Sequence, residues 1–233
     1  MPAAVRAPAR LPARAGIVEN MAPAASQPRP PRCNRVTPLG DVVAIPLRGS
    51  WLGNRGILHE GTDVVRFHRS NLWIICALQY RDWRLPQWAE GHLTVLFFHD
   101  EAVAFAAGHR PCALCRRGDY NRYRRACAES AGGRLPWAKE IDRQLHGERI
   151  VRGTHRRRLH PMAWQSVPDG TFVLCDGAPA LVLAGRLVEW TTEGYGAASA
   201  RPTKGEALVV TPPTSVAAIR AGYPLQIDAS AFG

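Results

Sequence analysis

Lysine and long apolar runs are both scarce in this sequence of 233 residues. Only two of its 30 Lys and Arg residues are lysines, Lys139 and Lys204. The run that comes nearest to a membrane span, residues 93–98, is the length of a strand, whereas a helix that spans a bilayer needs about 20 apolar residues. Hydrophobic residues make up 46% of the chain and charged residues 21%, values that exclude collagen, coiled coil and a wholly disordered chain. We therefore expect a soluble globular protein.

The net charge of +11 comes from an excess of arginine. A genome rich in G and C favours Arg, Ala, Pro and Gly codons, and a nucleic-acid partner favours basic residues; both interpretations stay open. Residues 1–38 hold six arginines and eight prolines against one acid, Glu19. With few large apolar side chains this segment cannot offset the entropy of ordering, so we predict a disordered arm.

Hydrophobic periodicity predicts an α+β fold for the rest of the chain. In the first part, the pattern predicts strands at residues 42–45, 57–59, 64–68, 72–80 and 93–98, then helices at residues 100–107, at 117–131 and from 136 onward. From residue 168 it predicts strands at 171–175, 180–184, 187–190 and 207–211, and a helix at 216–221 capped by Thr214 or Ser215. We assign an α+β domain to 39–148, a basic connection to 149–167 and a β-rich subdomain to 168–233.

Six cysteines, at positions 33, 76, 112, 115, 127 and 175, occur in a sequence with no stretch typical of a signal peptide. This combination leads us to expect a cytoplasmic protein in a reducing compartment. There, cysteines that lie close together are metal ligands or redox centres more often than structural disulfides.

The strongest chemical signal is the segment 108–117, Gly-His-Arg-Pro-Cys-Ala-Leu-Cys-Arg-Arg, which we call the knuckle. Its Cys112 and Cys115 form a C-x-x-C turn that brings two sulfurs within reach of one ion. Neighbouring arginines favour the thiolate form that binds metal, and zinc is the default ion for such a site. A thioredoxin-like dithiol is disfavoured because a helix, not a strand, precedes the motif. Two cysteines without a special role remain the third interpretation.

Residues 96–115, Leu-Phe-Phe-His-Asp-Glu-Ala-Val-Ala-Phe-Ala-Ala-Gly-His-Arg-Pro-Cys-Ala-Leu-Cys, resemble the latter part of the metal-binding domain of the Ada DNA-repair family. Shared features are an aromatic strand, a short Ala-rich helix that ends in Ala-Gly, and Arg-Pro-Cys-x-x-Cys. His109 stands where the family has an aromatic residue. The resemblance implies a zinc ion held by four cysteines, contact with the DNA backbone, and methyl transfer from a DNA phosphotriester to one cysteine.

The family takes its other two ligands from an upstream Cys-x-x-x-Cys pair, of which Cys76 matches the first while Tyr80 occupies the second position. Order along the chain therefore favours Cys76 as the third ligand. The alternative interpretation is that Cys76 is a small buried hydrophobic residue without a ligand role. Candidates for the fourth ligand are His59, His68, His99 and His109. His155 and His160 form a rival pair whose spacing is within the zinc-finger range.

Arginines follow the knuckle closely and point to a nucleic-acid partner. We predict phosphate contacts for Arg110, Arg116, Arg117 and Arg122, because guanidinium pairs bidentately with phosphate and a metal-held loop fixes where it points. Arg124 and Arg125 belong to the same cluster, and a second basic group comprises Arg149, Arg152, Arg156, Arg157 and Arg158. A solvated helix face is the alternative for these arginines.

No motif of a known catalytic type is present: there is neither G-x-S-x-G nor H-E-x-x-H. The sequence therefore predicts a zinc-binding protein that contacts nucleic-acid phosphates. The alternative is a metal-dependent hydrolase or nuclease in which His155 and His160 hold an ion with an open position for water.

Overall fold

A computed structural model describes residues 31–130 and 132–233, and of Ser130 only the backbone. Of the predicted disordered arm, residues 1–30 lie outside the described residues, while residues 31–38 include strand β1. The described chain contains four α-helices: α1 (Glu101–Ala106), α2 (Arg117–Ser130), α3 (Ala138–Arg149) and α4 (Pro213–Arg220). Its strands are β1 (Arg35–Val36), β2 (Val42–Val43), β3 (Trp51–Asn54), β4 (His59–Glu60), β5 (Asp63–Val64), β6 (Ile74–Cys76), β7 (Leu96–Phe98), β8 (Arg110–Pro111), β9 (His160–Ala163), β10 (Phe172–Cys175), β11 (Ala178–Leu183), β12 (Arg186–Thr191), β13 (Gly194–Ala200) and β14 (Glu206–Val209). The predicted α+β class is confirmed.

The first sheet has the order β2-β1-β7-β3-β6-β8. Strands β1 and β7 are parallel, as are β6 and β8, whereas the other neighbours are antiparallel. Gly53 lies in β3 where a Cβ atom would come within 2.3 Å of the Phe98 ring and 2.8 Å of the Ile74 carbonyl oxygen. Glycine at this position therefore allows the Phe98 ring to lie against the backbone of β3.

The second sheet is antiparallel throughout, with the order β13-β12-β11-β10-β14-β9. Asp176 and Gly177 both have positive φ angles, 49° and 83°, as the tight hairpin between β10 and β11 requires. Strands β10, β11, β12 and β14 match the sequence prediction closely, and β9 and β13 are additional.

The first three helices lie where periodicity predicts them. The Asp100 carboxylate accepts a hydrogen bond from the Val103 N–H at 2.8 Å and thus caps α1, and Gly108 follows the helix with φ of +84°. The prediction for α4 is wrong at its start. The helix begins at Pro213, so Thr214 and Ser215 lie in its first turn rather than at its cap.

Helix α1 is buried over its whole length and contacts both β7 and β10, one strand from each sheet. The larger hydrophobic core accordingly contains residues from both halves of the chain, from Val36 to Ala231. A smaller core lies against the second sheet, around Trp164 and Val209. The segment Pro31–Gly233 forms one compact unit. Within it, the predicted β-rich subdomain shares the larger core with the predicted α+β domain 39–148.

Candidate metal centre

Three cysteine sulfurs converge at one edge of the first sheet. The Sγ atoms of Cys76, Cys112 and Cys115 all lie within 4.8 Å of one another, and within the described chain no other group of three or more His, Cys, Asp or Glu side chains converges in this way. All three cysteines are free thiols rather than disulfides. The prediction that Cys76 joins the knuckle pair is confirmed to this extent: the three residues form one cluster that can hold a metal ion.

The pairing of two parallel strands brings these cysteines together. Strand β6 lies beside β8 with Ile75 opposite Pro111, and the Cys112 N–H donates to the Ile75 carbonyl oxygen at 2.9 Å. Cys76 ends β6 and Cys112 follows β8, so the sulfurs leave the sheet at the same end. Pro111 lacks an N–H group, which the outer side of this edge strand does not need, and the chain turns after Cys112 to bring Cys115 back to the pair.

Backbone N–H groups stabilise charge on these sulfurs. The Leu114 N–H donates to Cys112 Sγ at 3.4 Å. Hydrogen bonds from Cys115 and Cys76 place the pKa of Cys112 well below its usual range. The pKa of Cys76 is raised well above its usual range, because its thiol donates to Cys112 and Cys115 and because it is buried. The cluster therefore carries one thiolate readily, and a cation is needed before all three sulfurs ionise together.

The donor set fits zinc in number and size. Zinc–thiolate bonds of about 2.3 Å in tetrahedral geometry put the sulfurs about 3.8 Å apart, a spacing that the 4.8 Å limit of this cluster includes. Thiolate ligands select soft or borderline ions over Mg²⁺ or Ca²⁺. The residues present therefore fit zinc.

A cavity of about 500 Å³ opens beside the cluster, and all three cysteines line it. Its other walls are mainly apolar and come mostly from residues 77–97; they include Leu78, Tyr80, Trp83, Leu85 and Leu93. An ion held by the three sulfurs would border this cavity, which provides space for a fourth ligand.

None of the four histidines predicted as a fourth ligand joins the cluster within the described residues. His59 bonds to Thr94 and Ala89, and the fully buried His109 accepts a hydrogen bond from Arg55 Nε at 3.2 Å. His99 lies 3.8 Å from a carboxylate oxygen of Asp228. His68 packs against His146, with their ring centroids 5.1 Å apart.

The rival pair His155 and His160 is separated in its contacts. His160 Nε2 bonds to the Glu148 carbonyl oxygen at 2.9 Å, whereas the exposed His155 packs on Phe67 with ring centroids 5.1 Å apart. Over the ranges that the structure describes, these histidines belong to no cluster of three potential ligands.

The four arginines predicted to bind phosphate divide into two buried and two exposed residues. Arg110 donates two hydrogen bonds to the Asp142 carboxylate, both at 2.8 Å. Arg116 pairs with Glu101 at 2.7 Å and lies over the Trp51 ring at 3.8 Å. These two buried side chains tie the knuckle to the protein interior.

Arg117 and Arg122 are exposed at the start of α2. Arg122 pairs with Asp119, while Arg117 has no ion pair with any described residue. The prediction of phosphate contact therefore applies to these two side chains.

Sequence reasoning missed a group of histidines. His68, His146 and His155 come from three separate segments and pack together. Sequence reasoning also considered the arginines of the second basic group together, although they differ in burial. Arg149 is fully buried, whereas Arg152 and Arg158 are exposed. No periodic or spacing signal joins residues so far apart in the chain, although the arginine-rich segment 149–158 marks part of the region.

No helix among the described residues has the length and apolar character needed to cross a membrane. Neither a protein-family model, nor a curated protein, nor a solved structure matches this chain.

Proposed function

We propose that Cys76, Cys112 and Cys115 bind a zinc ion through three thiolates, and that the exposed surface beside the knuckle contacts nucleic-acid phosphates. The observation that supports the metal centre is the convergence of three cysteine sulfurs within 4.8 Å. The Ada-like segment 96–115 supports zinc as the ion, since it contains two of the three ligands.

The zinc ion would join the end of β6 to the knuckle. Three thiolates and one Zn²⁺ carry a net charge of −1, whereas four thiolates would carry −2. Sulfur is less nucleophilic in the less negative centre, so transfer of an alkyl group to cysteine is not part of this proposal. A water molecule or a ligand from the adjoining cavity completes the tetrahedron.

Contact with nucleic acid rests on Arg117 and Arg122, which lie two and seven residues after the ligand Cys115. Zinc binding would fix the first turn of α2 and with it the position of these two guanidinium groups. Each neutralised phosphate of duplex DNA contributes about −0.9 to the slope of log affinity against log salt concentration. The expected interaction is therefore sequence-independent and sensitive to salt.

Native mass spectrometry of the purified protein tests the metal centre. We expect one zinc ion in the wild type, and its loss in Cys112→Ser and Cys76→Ser. Cys175→Ser is the matched control, because Cys175 is also partly buried and free but lies on the second sheet. Absence of zinc from the wild type after supplementation, or its equal retention in all three variants, would refute this centre.

Fluorescence anisotropy with a labelled DNA duplex tests the nucleic-acid contact. We expect affinity to fall steeply with salt, and the double substitution Arg117→Gln/Arg122→Gln to weaken binding about tenfold and flatten the slope by about 2. Arg186→Gln/Lys204→Gln, on β12 and on the loop before β14, provides a control with the same change in charge. Equal binding by the double variant and this control would contradict the assignment.

A further inference from the structure

A second cavity, of about 650 Å³, lies between α3 and the segments around residues 68–71 and 150–158. We call it the basic cleft and define it by six of its lining side chains: His68, Arg143, His146, Arg152, His155 and Arg158. Within the described chain, no Asp or Glu lines this cleft. A concave surface with many cationic and imidazole groups and no carboxylate favours an anionic ligand.

A buried guanidinium lies directly behind the cleft. Arg149 is fully buried, and its Nη2 donates to the Asn71 carbonyl oxygen at 2.8 Å and to His146 Nδ1 at 2.9 Å. Asn71 and His146 both line the cleft. Arg149 Nε is also buried and has no hydrogen-bond partner among the described residues.

Two more arginines, Arg55 and Arg157, increase the positive charge behind this wall. Arg55 is completely buried and Arg157 is partly buried, and neither forms an ion pair with a carboxylate in the described part of the chain. Burial lowers the pKa of each to about 9. Burial, followed by the charges of Arg55 and Arg157, places the pKa of Arg149 well below its usual range. Asp41 offsets part of the charge of Arg55 and Arg157, and Asp142 offsets part of that of Arg149, so the interior behind the cleft keeps an excess of positive charge.

The histidines of the cleft respond to the same charge. Burial, followed by Arg149 and His68, lowers the pKa of His146 to about 4. Burial also lowers the pKa of His68, followed by electrostatic repulsion from Arg149, His155 and Arg55. A bound anion would offset this positive potential.

Hydrogen bonding decides which ring nitrogen of His146 is the donor. A guanidinium only donates, so His146 Nδ1 accepts from Arg149 and the neutral ring carries its proton on Nε2. His146 Nε2, His68 and His155 have no hydrogen-bond partner among the described residues. The same geometry disfavours a metal ion, since Arg149 already occupies one imidazole nitrogen and repels a cation.

We propose that the basic cleft binds a phosphate group carried by a nucleotide or by an oligonucleotide. The exposed arginines 143, 152 and 158 offer forked donors that match phosphate geometry. The volume of the cleft exceeds that of a phosphate group alone. The ring of His155, which packs on Phe67, offers an exposed aromatic face on which a base can stack. The inference does not rest on the zinc centre, and it adds a second contact place to the proposed nucleic-acid function.

Gly147 provides a matched pair of variants. It lies in α3 and lines the cleft, and a Cβ atom there would meet nothing within 4 Å. Gly147→Ala therefore leaves the cleft intact, whereas Gly147→Glu adds a carboxylate to it. Arg152→Gln on the exposed loop gives a second measurement should Gly147→Glu fail to fold. Circular dichroism and thermal unfolding verify the fold of each variant.

Calorimetric titration with inorganic pyrophosphate and with a deoxynucleoside monophosphate, at low salt, tests the proposal. We expect Gly147→Ala to bind like the wild type, Gly147→Glu to bind at least tenfold more weakly and Arg152→Gln several-fold more weakly. A labelled single-stranded oligonucleotide identifies the source of the phosphate. If it binds more tightly than the monophosphate and loses affinity in Gly147→Glu, the source is nucleic acid. If the monophosphate binds as tightly, the source is a free nucleotide.

Either of these outcomes supports the cleft. Two results would overturn it: no binding of any phosphate-bearing probe to the wild type, or equal binding by Gly147→Ala and Gly147→Glu. If oligonucleotide binding is lost in Arg117→Gln/Arg122→Gln but kept in Gly147→Glu, the proposed function stands and the cleft assignment fails.

Discussion

The buried ion pair between Arg110 and Asp142 joins the knuckle strand β8 to helix α3, and removing its acid should destabilise the protein strongly. The side chains are 2% and 11% exposed, and the Arg110 Nε and Asp142 Oδ1 atoms are 2.8 Å apart. Asp142→Ala would leave the Arg110 charge buried without a carboxylate partner. Breaking a buried pair from one side costs about 3–5 kcal/mol.

Urea unfolding followed by circular dichroism measures this effect. A slope of about 3 kcal/mol per molar urea, at the upper end for small proteins, converts the loss into a midpoint shift of about 1–1.7 M. Arg110→Met/Asp142→Leu, which removes both charges, should recover most of the stability because no charge then remains buried. Zinc affinity should also fall in Asp142→Ala, since Arg110 lies two residues before Cys112.

The pair of Arg66 and Glu60 is the matched control. Its N–O distance is also 2.8 Å, but the side chains are 44% and 67% exposed. Glu60→Ala should cost less than about 1 kcal/mol. If the two acidic substitutions have equal effects, or if the double variant is less stable than Asp142→Ala, then burial of the pair does not account for its contribution and our reasoning fails.

Three further outcomes are expected. Zinc binding near neutral pH should release about two protons, because the pKa of Cys112 is lowered while those of Cys76 and Cys115 are raised. Calorimetry in two buffers of different ionisation enthalpy measures the number, and release of none would contradict the role of Cys76. Glu101→Gln should lower the free energy of unfolding in urea by about 2 kcal/mol, because the buried carboxylate bonds to Arg116 at 2.7 Å and to the Tyr223 hydroxyl at 2.8 Å. A change near zero would show that another group replaces this carboxylate. Gly53→Ala should cost about 1–3 kcal/mol and weaken zinc binding, because its Cβ would lie 2.3 Å from the Phe98 ring. Gly118→Ala in α2 should instead stabilise the protein by up to about 1 kcal/mol, so two changes of the same sign would refute the steric argument.

Local patterns were sufficient for the first three helices and for most of the second sheet. Caps, glycine stops and apolar spacing are properties of neighbouring residues, and tertiary packing did not override them. Strand β3 was missed because Gly53 and Asn54 are typical of turns, whereas here glycine allows the close approach of the Phe98 ring. Strand β13 was missed because its residues are mostly small and exposed.

Order along the chain predicted Cys76 as a partner of the knuckle. The burial of Arg110, Arg116 and Arg149 was not predictable, because arginine is ordinarily a surface residue. Its burial here depends on partners distant in sequence: Asp142 for Arg110, Glu101 for Arg116, and carbonyl oxygens for Arg149. The basic cleft is likewise a product of tertiary structure, since three chain segments contribute its histidines.

Residues 77–95 connect Cys76 to β7 without a helix or strand and provide much of the cavity wall beside the sulfurs. Connections of such length are uncommon in compact folds unless they have a role. Both ends of this segment are anchored in the first sheet, so the loop can change in length and composition while the anchors stay in place. Related chains with a shorter loop would keep the same three sulfurs and expose them to a different set of molecules, which makes this loop the natural place for specificity to diverge.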